Sequence, residues 1–198
     1  MKQKMTIFVG VMLVLIMASC GGGGAGSQLD GIWTGDFWGD SVTVAHGNGM
    51  CFIVIGEGRW SDAEMVQVTY SNGSGTANFE GERFPFTRNG DTITTNVMGD
   101  NLTLNRDKSR SATPSALSGI WTVNYDGDII NMVFINNMVF IYEEYRGETY
   151  VEDYGTFTFS SNSGSIRSVW GDVYNISLSG NNLTLNWDGE VLNFTKAR

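Results

Sequence analysis

The chain has 198 residues, a formal charge of -9, one histidine and two cysteines. That length suits one or two domains, the acidic balance excludes the positive footprint that nucleic acid requires, and two cysteines allow one disulfide at most. With Gly 26 against Pro 2 and 12% aromatics, the composition fits a β protein with many tight turns.

The first element is a leader. Lys2 and Lys4 precede an apolar run from Ile7 to Met17, which ends at Ala18-Ser19-Cys20. The run falls short of the roughly 20 residues that span a bilayer, and small residues before a cut site make it a secretory leader over 1–19. Met17-Ala18-Ser19-Cys20 resembles the lipobox of bacterial lipoproteins, with Met17 where that family usually has Leu. The resemblance implies cleavage before Cys20, acylation of its sulfur, and attachment to a membrane through the lipid. With Cys20 consumed by a lipid, no disulfide is left to the chain. Loss of the leader removes two positive charges and takes the chain from -9 to -11. Residues 20–28 carry the glycine run, which reads as a flexible tether. Gly21 rather than Asp after the cysteine implies, by the same resemblance, the outer membrane of a diderm envelope.

Beyond the tether the chain states itself twice. Gly31-Ile32-Trp33-Thr34 opens one copy and Gly119-Ile120-Trp121-Thr122 the other, and both copies contain Asn-Leu-Thr-Leu-Asn, at 101–105 and 182–186. With Trp33 on Trp121, order is kept at an offset of 88 through Ile53 and Ile141. Eight residues are then lost, and the closing strings coincide at an offset of 81. The expected division is a first repeat at 29–105, a linker at 106–116 containing Pro114, and a second repeat at 117–198.

Alternation and turn chemistry place strands in the second copy near 120–125, 129–135, 138–144, 149–159 with a bend, 165–170, 173–178, 182–187 and 191–196. Asp126-Gly127, Gly171-Asp172 and Gly180-Asn181 accept the positive φ of tight hairpins. Short connections pair sequential strands, and closure of the resulting antiparallel meander removes its exposed edges. Gly-x-Trp at the first strand of an eight-stranded meander resembles the lipocalin-like domains of small bacterial lipoproteins. That family's Thr-Asp-Tyr-like turn and final conserved Arg region are not matched. The expected fold is all-β, two tandem small antiparallel β-barrels, with merger of the repeats into one larger barrel or sandwich as the alternative. Gly31, Trp33, Gly119 and Trp121 are then structural, the indoles plugging the base of each barrel. After Asn105 the first copy continues as polar linker, so it is expected to lack the closing strand, and its barrel to be less completely closed or to be closed by eight extra residues near Ile55 to Tyr70.

Chemistry is sparse. His46 aligns with Phe134 and Cys51 with Val139, both apolar strand positions, which assigns them to the core. Asp36, Asp40, Asp126 and Asp128 flank hairpin turns without the spacing of a calcium loop. Glu143-Glu144 and Glu152-Asp153 are neighbours in strands and point to opposite faces, which is no glycosidase pair. No catalytic set, metal site or cofactor is expected. Tyr142, Tyr145, Tyr150 and Tyr154 stand among five carboxylates and form the candidate binding patch. The expected function is a lipid-anchored envelope protein, held to the membrane through acylated Cys20, that recognises a protein or envelope component without catalysis. Carriage of a small hydrophobic ligand inside one barrel is the alternative, and a hydrolase the weaker one.

Overall fold

A computed structural model describes residues 26–79, 81–145, 148–187 and 189–197. The leader, Cys20 and most of the tether lie outside them. Among the described residues, seventeen strands form two separate antiparallel sheets, so the repeats do not merge into one larger barrel. The first copy holds β1 (Gly31–Phe37), β2 (Asp40–Gly47), β3 (Met50–Ile55), β4 (Asp62–Met65), β5 (Gln67–Ser71), β6 (Ser74–Phe79), β7 (Glu82–Asn89), β8 (Thr92–Val97) and β9 (Asp100–Arg106). The second holds β10 (Ile120–Tyr125), β11 (Asp128–Ile135), β12 (Met138–Tyr145), β13 (Glu148–Ser160), β14 (Ser163–Ser168), β15 (Val173–Ser179), β16 (Asn182–Trp187) and β17 (Glu190–Lys196). The second sheet is a closed barrel of eight strands in meander order.

The first sheet is nearly closed. Its order runs β4-β3-β2-β1-β9-β8-β7-β6-β5, so its two ends are consecutive strands that meet at Val66. Val66 is buried and its N–H still donates to the Cys51 carbonyl at 2.8 Å. In the second barrel the same place is filled by β13, which pairs with β12 through Thr156 and with β14 from Gly155 onward. One strand must serve two differently inclined neighbours. The second copy manages it with a register shift between Ile141 and Tyr142, and the first by breaking the strand.

The first copy does not lack its closing strand. β9 pairs with β1, setting Arg106 opposite Trp33, as β17 pairs with β10 and sets Lys196 opposite Trp121. The true offset between copies is therefore 88 at the tryptophans, 89 at the hairpins Ser71–Ser74 and Ser160–Ser163, and 90 at Arg106 and Lys196. No eight-residue loss exists. The shared Asn-Leu-Thr-Leu-Asn string is the closing strand in one copy and the penultimate strand in the other. Its likeness has a local cause: in both places two leucines face a barrel interior and the polar residues face water.

Three apolar cores result. One fills the second barrel, with Met132, Phe134, Val139, Ile141, Leu183, Leu185 and Phe194 around Trp121. A smaller one fills the first barrel around Trp33, with Val42, Phe86, Ile93, Leu102 and Leu104. The third lies between the barrels and is built from outward residues: Ile32, Ala45, Phe52 and Val54 from the first copy, Val133, Ile135, Met138, Phe140, Tyr142 and Tyr154 from the second. β11 and β12 are thus buried on both faces, which explains why Met132–Ile135 and Met138–Tyr142 are continuous apolar runs rather than alternating ones.

Candidate interaction surfaces

The base of each barrel is built the same way. A short helical turn, Gly26–Leu29 or Ser115–Leu117, leads into the first strand and buries its leucine. Gly31 and Gly119 then turn the chain at φ 135 and 103, a region that favours glycine. Two residues on, the indole enters the barrel and is fully buried. Its N–H finds the carbonyl of that leucine, Trp33 to Leu29 at 2.8 Å and Trp121 to Leu117 at 3.0 Å. A cation from the closing strand covers the ring: the Arg106 guanidinium lies 4.8 Å from the Trp33 centroid and the Lys196 ammonium 5.5 Å from that of Trp121. Arg106 also donates to the carbonyls of Gln28 and Asp30, at 3.2 and 2.6 Å, and so ties the entering chain across the base. Arg106 and Lys196 are thus equivalent in the two copies, a pairing that the alignment on Asn-Leu-Thr-Leu-Asn conceals. Only the register of β9 and β17 brings them over the tryptophans.

The four tyrosines do not share one surface. Tyr142 and Tyr154 are buried in the core between the barrels. The Tyr142 hydroxyl lies 3.3 Å from the Met50 sulfur, and burial, followed by the charge of Glu144, pushes its phenol well above the usual range. The Tyr154 hydroxyl hydrogen-bonds to Ser61 of the first copy. Tyr145 and Tyr150 remain exposed beside the turn between β12 and β13. Tyr150 donates to Glu148 and Tyr125 to Glu190, and the carboxylate acceptors raise both phenols. Tyr142 and Tyr154 point away from their barrel as Tyr145 and Tyr150 do not, because strand parity and the register shift in β13 divide them.

His46 points into the first barrel and is buried, with Nδ1 held 2.9 Å from an Asp30 oxygen. Directly opposite it on β3 stands Cys51, a buried thiol. The sequence reading placed both in the core but not beside each other. The pairing comes from the Asn48-Gly49 turn, with Asn48 at φ 54. Asp153 is buried in the second barrel, where it accepts from Ser168 Oγ at 2.8 Å and from the Tyr154 N–H at 2.7 Å. Among the described residues, no group of three His, Cys, Asp or Glu is placed to hold a metal ion.

A surface cleft of about 430 Å³ runs between the barrels at their base, lined by His46, Asn48, Arg106, Arg110, Thr113 and Asn136 among others. Asn48 spans it: its amide donates to the Phe134 carbonyl at 3.1 Å and its oxygen accepts from the Gly119 N–H at 3.2 Å. The opposite rim of the first barrel carries Trp38, Trp60 and Met98, all exposed.

No family model matches this chain, and no curated protein matches it. Among solved structures it is similar to the DNA polymerase III β subunit of Thermotoga maritima, at 9% identity over 85% of this chain and 56% of that one, with a TM-score of 0.19. The sliding clamp of Bacillus subtilis gives 8% identity, 84% and 56% coverage, and a TM-score of 0.16. The chain thus spans little more than half the length of the structures it matches. At such scores the likeness carries no argument about function.

Proposed function

We propose that this protein is a lipid-anchored envelope protein that recognises a protein or envelope component without catalysis. The observation that supports this most is the filling of the second barrel. Thirteen buried side chains pack into one cluster inside it, as an eight-stranded barrel closes down to an interior that side chains fill. Recognition then falls to outer surfaces and rims, where large apolar side chains stand in water. The lipobox resemblance at Met17-Ala18-Ser19-Cys20 supplies the anchor. Labelling of growing cells with an alkyne fatty acid tests it. The reading expects label on the full chain and none on Cys20→Ala, and label on neither would overturn the anchor.

A second reading has one observation in its favour. The first barrel buries fewer residues, and Phe37, Val44, Ile53, Val68, Tyr70 and Val97 around its core stay partly exposed. A small hydrophobic ligand would find apolar wall there. Native mass spectrometry of protein taken from its own envelope separates the two: a stoichiometric small molecule bound to the chain favours carriage, and the bare mass favours recognition at the surface.

A further inference from the structure

The duplicated fold supplies its own control. In the second copy the hairpin between β10 and β11 turns on Asp126-Gly127, with Asp126 at φ 52. The sequence counterpart between β16 and β17 is Asp188-Gly189. Asp and Asn tolerate this left-handed conformation because their short side chains hydrogen-bond nearby backbone, whereas bulky residues suffer the Cβ clash without that return. The first copy uses Asn for the same purpose at Asn48-Gly49 and Asn72-Gly73. At two turns it does not. Trp38 holds φ 55 before Gly39, and Met98 holds φ 54 before Gly99. Neither side chain is repaid by burial, since Trp38 is 64% exposed and Met98 61%.

These turns are adjacent. β1 pairs with β9, so the β1–β2 and β8–β9 hairpins sit side by side on the rim away from the capped base. Trp38 is braced there, its ring stacked on Phe37 at 4.5 Å and its N–H donating to Asp100 at 2.9 Å. Trp60, 81% exposed on the turn between β3 and β4, stands on the same rim. Two strained apolar turns left in water, one of them braced, are explained by something they meet outside the chain. The rim also sets the partner's charge. Among the described residues at that end of the barrel, Asp36, Asp40, Glu57, Asp62, Glu82 and Asp100 outnumber Arg59 and Arg83, in a chain of formal charge -9.

We propose that the rim of the first barrel, through Trp38, Met98 and Trp60, docks a protein partner that offers apolar pockets among basic side chains. This rests on the recognition function and assigns it a surface, one distinct from Tyr145 and Tyr150. Tryptophan and methionine suit such a surface because they bury large, adaptable apolar area, and acid around them steers a cationic partner.

The test places the photo-crosslinker p-benzoylphenylalanine at position 60 or at position 150 of the full chain in cells of its source. Irradiation is expected to give, from position 60, an adduct with a protein whose crosslinked segment carries net positive charge. Trp38→Asn with Met98→Asn, the residue the first copy uses at Asn48-Gly49 and Asn72-Gly73, is expected to cut that adduct at least tenfold. The urea midpoint of the same variant is expected to stay or rise. A lipid, a glycan, an acidic segment or a second copy of this chain at position 60 overturns the rim assignment. So does an adduct that survives the double substitution, or a midpoint that falls. An adduct from position 150 alone refutes the rim and leaves recognition standing, whereas no adduct from either position refutes both.

Discussion

Phe52 and Phe140 stack with ring centroids 4.2 Å apart and planes 6° from parallel. They occupy the same place in the two copies, 88 residues apart, and both are fully buried. Equivalent strands also meet, β2 against β11 and β4 against β13. A patch that packs on its own duplicate is the geometry of an isologous two-fold contact, here contained in one chain. Phe140→Ala removes the central ring from this core and is expected to cost about 3–5 kcal/mol, the range for deleting a buried aromatic. Urea denaturation followed by tryptophan fluorescence measures it. A loss under about 1 kcal/mol would mean that the barrels are joined by the linker alone.

The barrel bases offer a paired test. Trp121→Ala is expected to cost about 3–5 kcal/mol, because it empties the base of the larger core and orphans the Leu117 carbonyl. Arg106→Met keeps the aliphatic stem and removes the nearer of two guanidinium groups over Trp33, leaving that of Arg88 at 5.6 Å from the centroid. It also removes the donors to Gln28 and Asp30. Its cost is expected to exceed that of Lys196→Met, for which only the ring contact, about 0.5–2 kcal/mol, is at stake. Equal losses in thermal or chemical denaturation would contradict the bridging role of Arg106.

What the sequence exposed was whatever depends on local chemistry. The duplicated Gly-x-Trp, the alternation and the Asp-Gly and Gly-Asn turns lead to an all-β meander whose second-copy strands lie within one or two residues of those observed. Register was hidden. The two Asn-Leu-Thr-Leu-Asn strings look equivalent because any strand with one wet and one buried face repeats that pattern, and pairing alone tells β9 from β16. The tyrosines were misgrouped for a related reason. Alternation states that Tyr142 and Tyr154 leave the barrel wall, but only the contact with Phe52, Met50 and Ser61 turns that wall into an interior.

His46 and Cys51 are cross-strand neighbours, directly opposite each other on β2 and β3. Both are closed off from solvent by the base of the first barrel. A buried thiol reacts only when the wall opens, whatever base lies beside it. Alkylation of Cys51 by iodoacetamide is expected to be at least tenfold slower in the folded protein than in urea, and to remain so in His46→Gln. Fast labelling of the native state, lost in His46→Gln, would instead reveal an activated thiolate and reopen catalysis.

Asp153 makes the pH response of the second barrel predictable. Burial raises its carboxyl above the ordinary value of 3.8, against hydrogen bonds from Ser168, Tyr154 and Tyr174 that lower it. Between 3.8 and the raised value the folded chain holds a proton that the unfolded chain has released. This group therefore contributes stability that is fully present below the unfolded pKa and is lost as pH rises through the folded one. Asp91, beside Lys108, and Asp107, bonded to Ser109 and Arg110, are lowered and act in the opposite sense. The readout is consequently the difference between the unsubstituted protein and Asp153→Asn, which cancels the other acids. Asn keeps an acceptor for Ser168 Oγ and for the Tyr154 N–H without carrying a buried charge. Relative to that variant, the urea midpoint of the unsubstituted protein is expected to fall as pH climbs from about 3.8 toward neutrality, then level off. A difference that grows with pH in favour of Asp153 would show that its hydrogen bonds outweigh its burial.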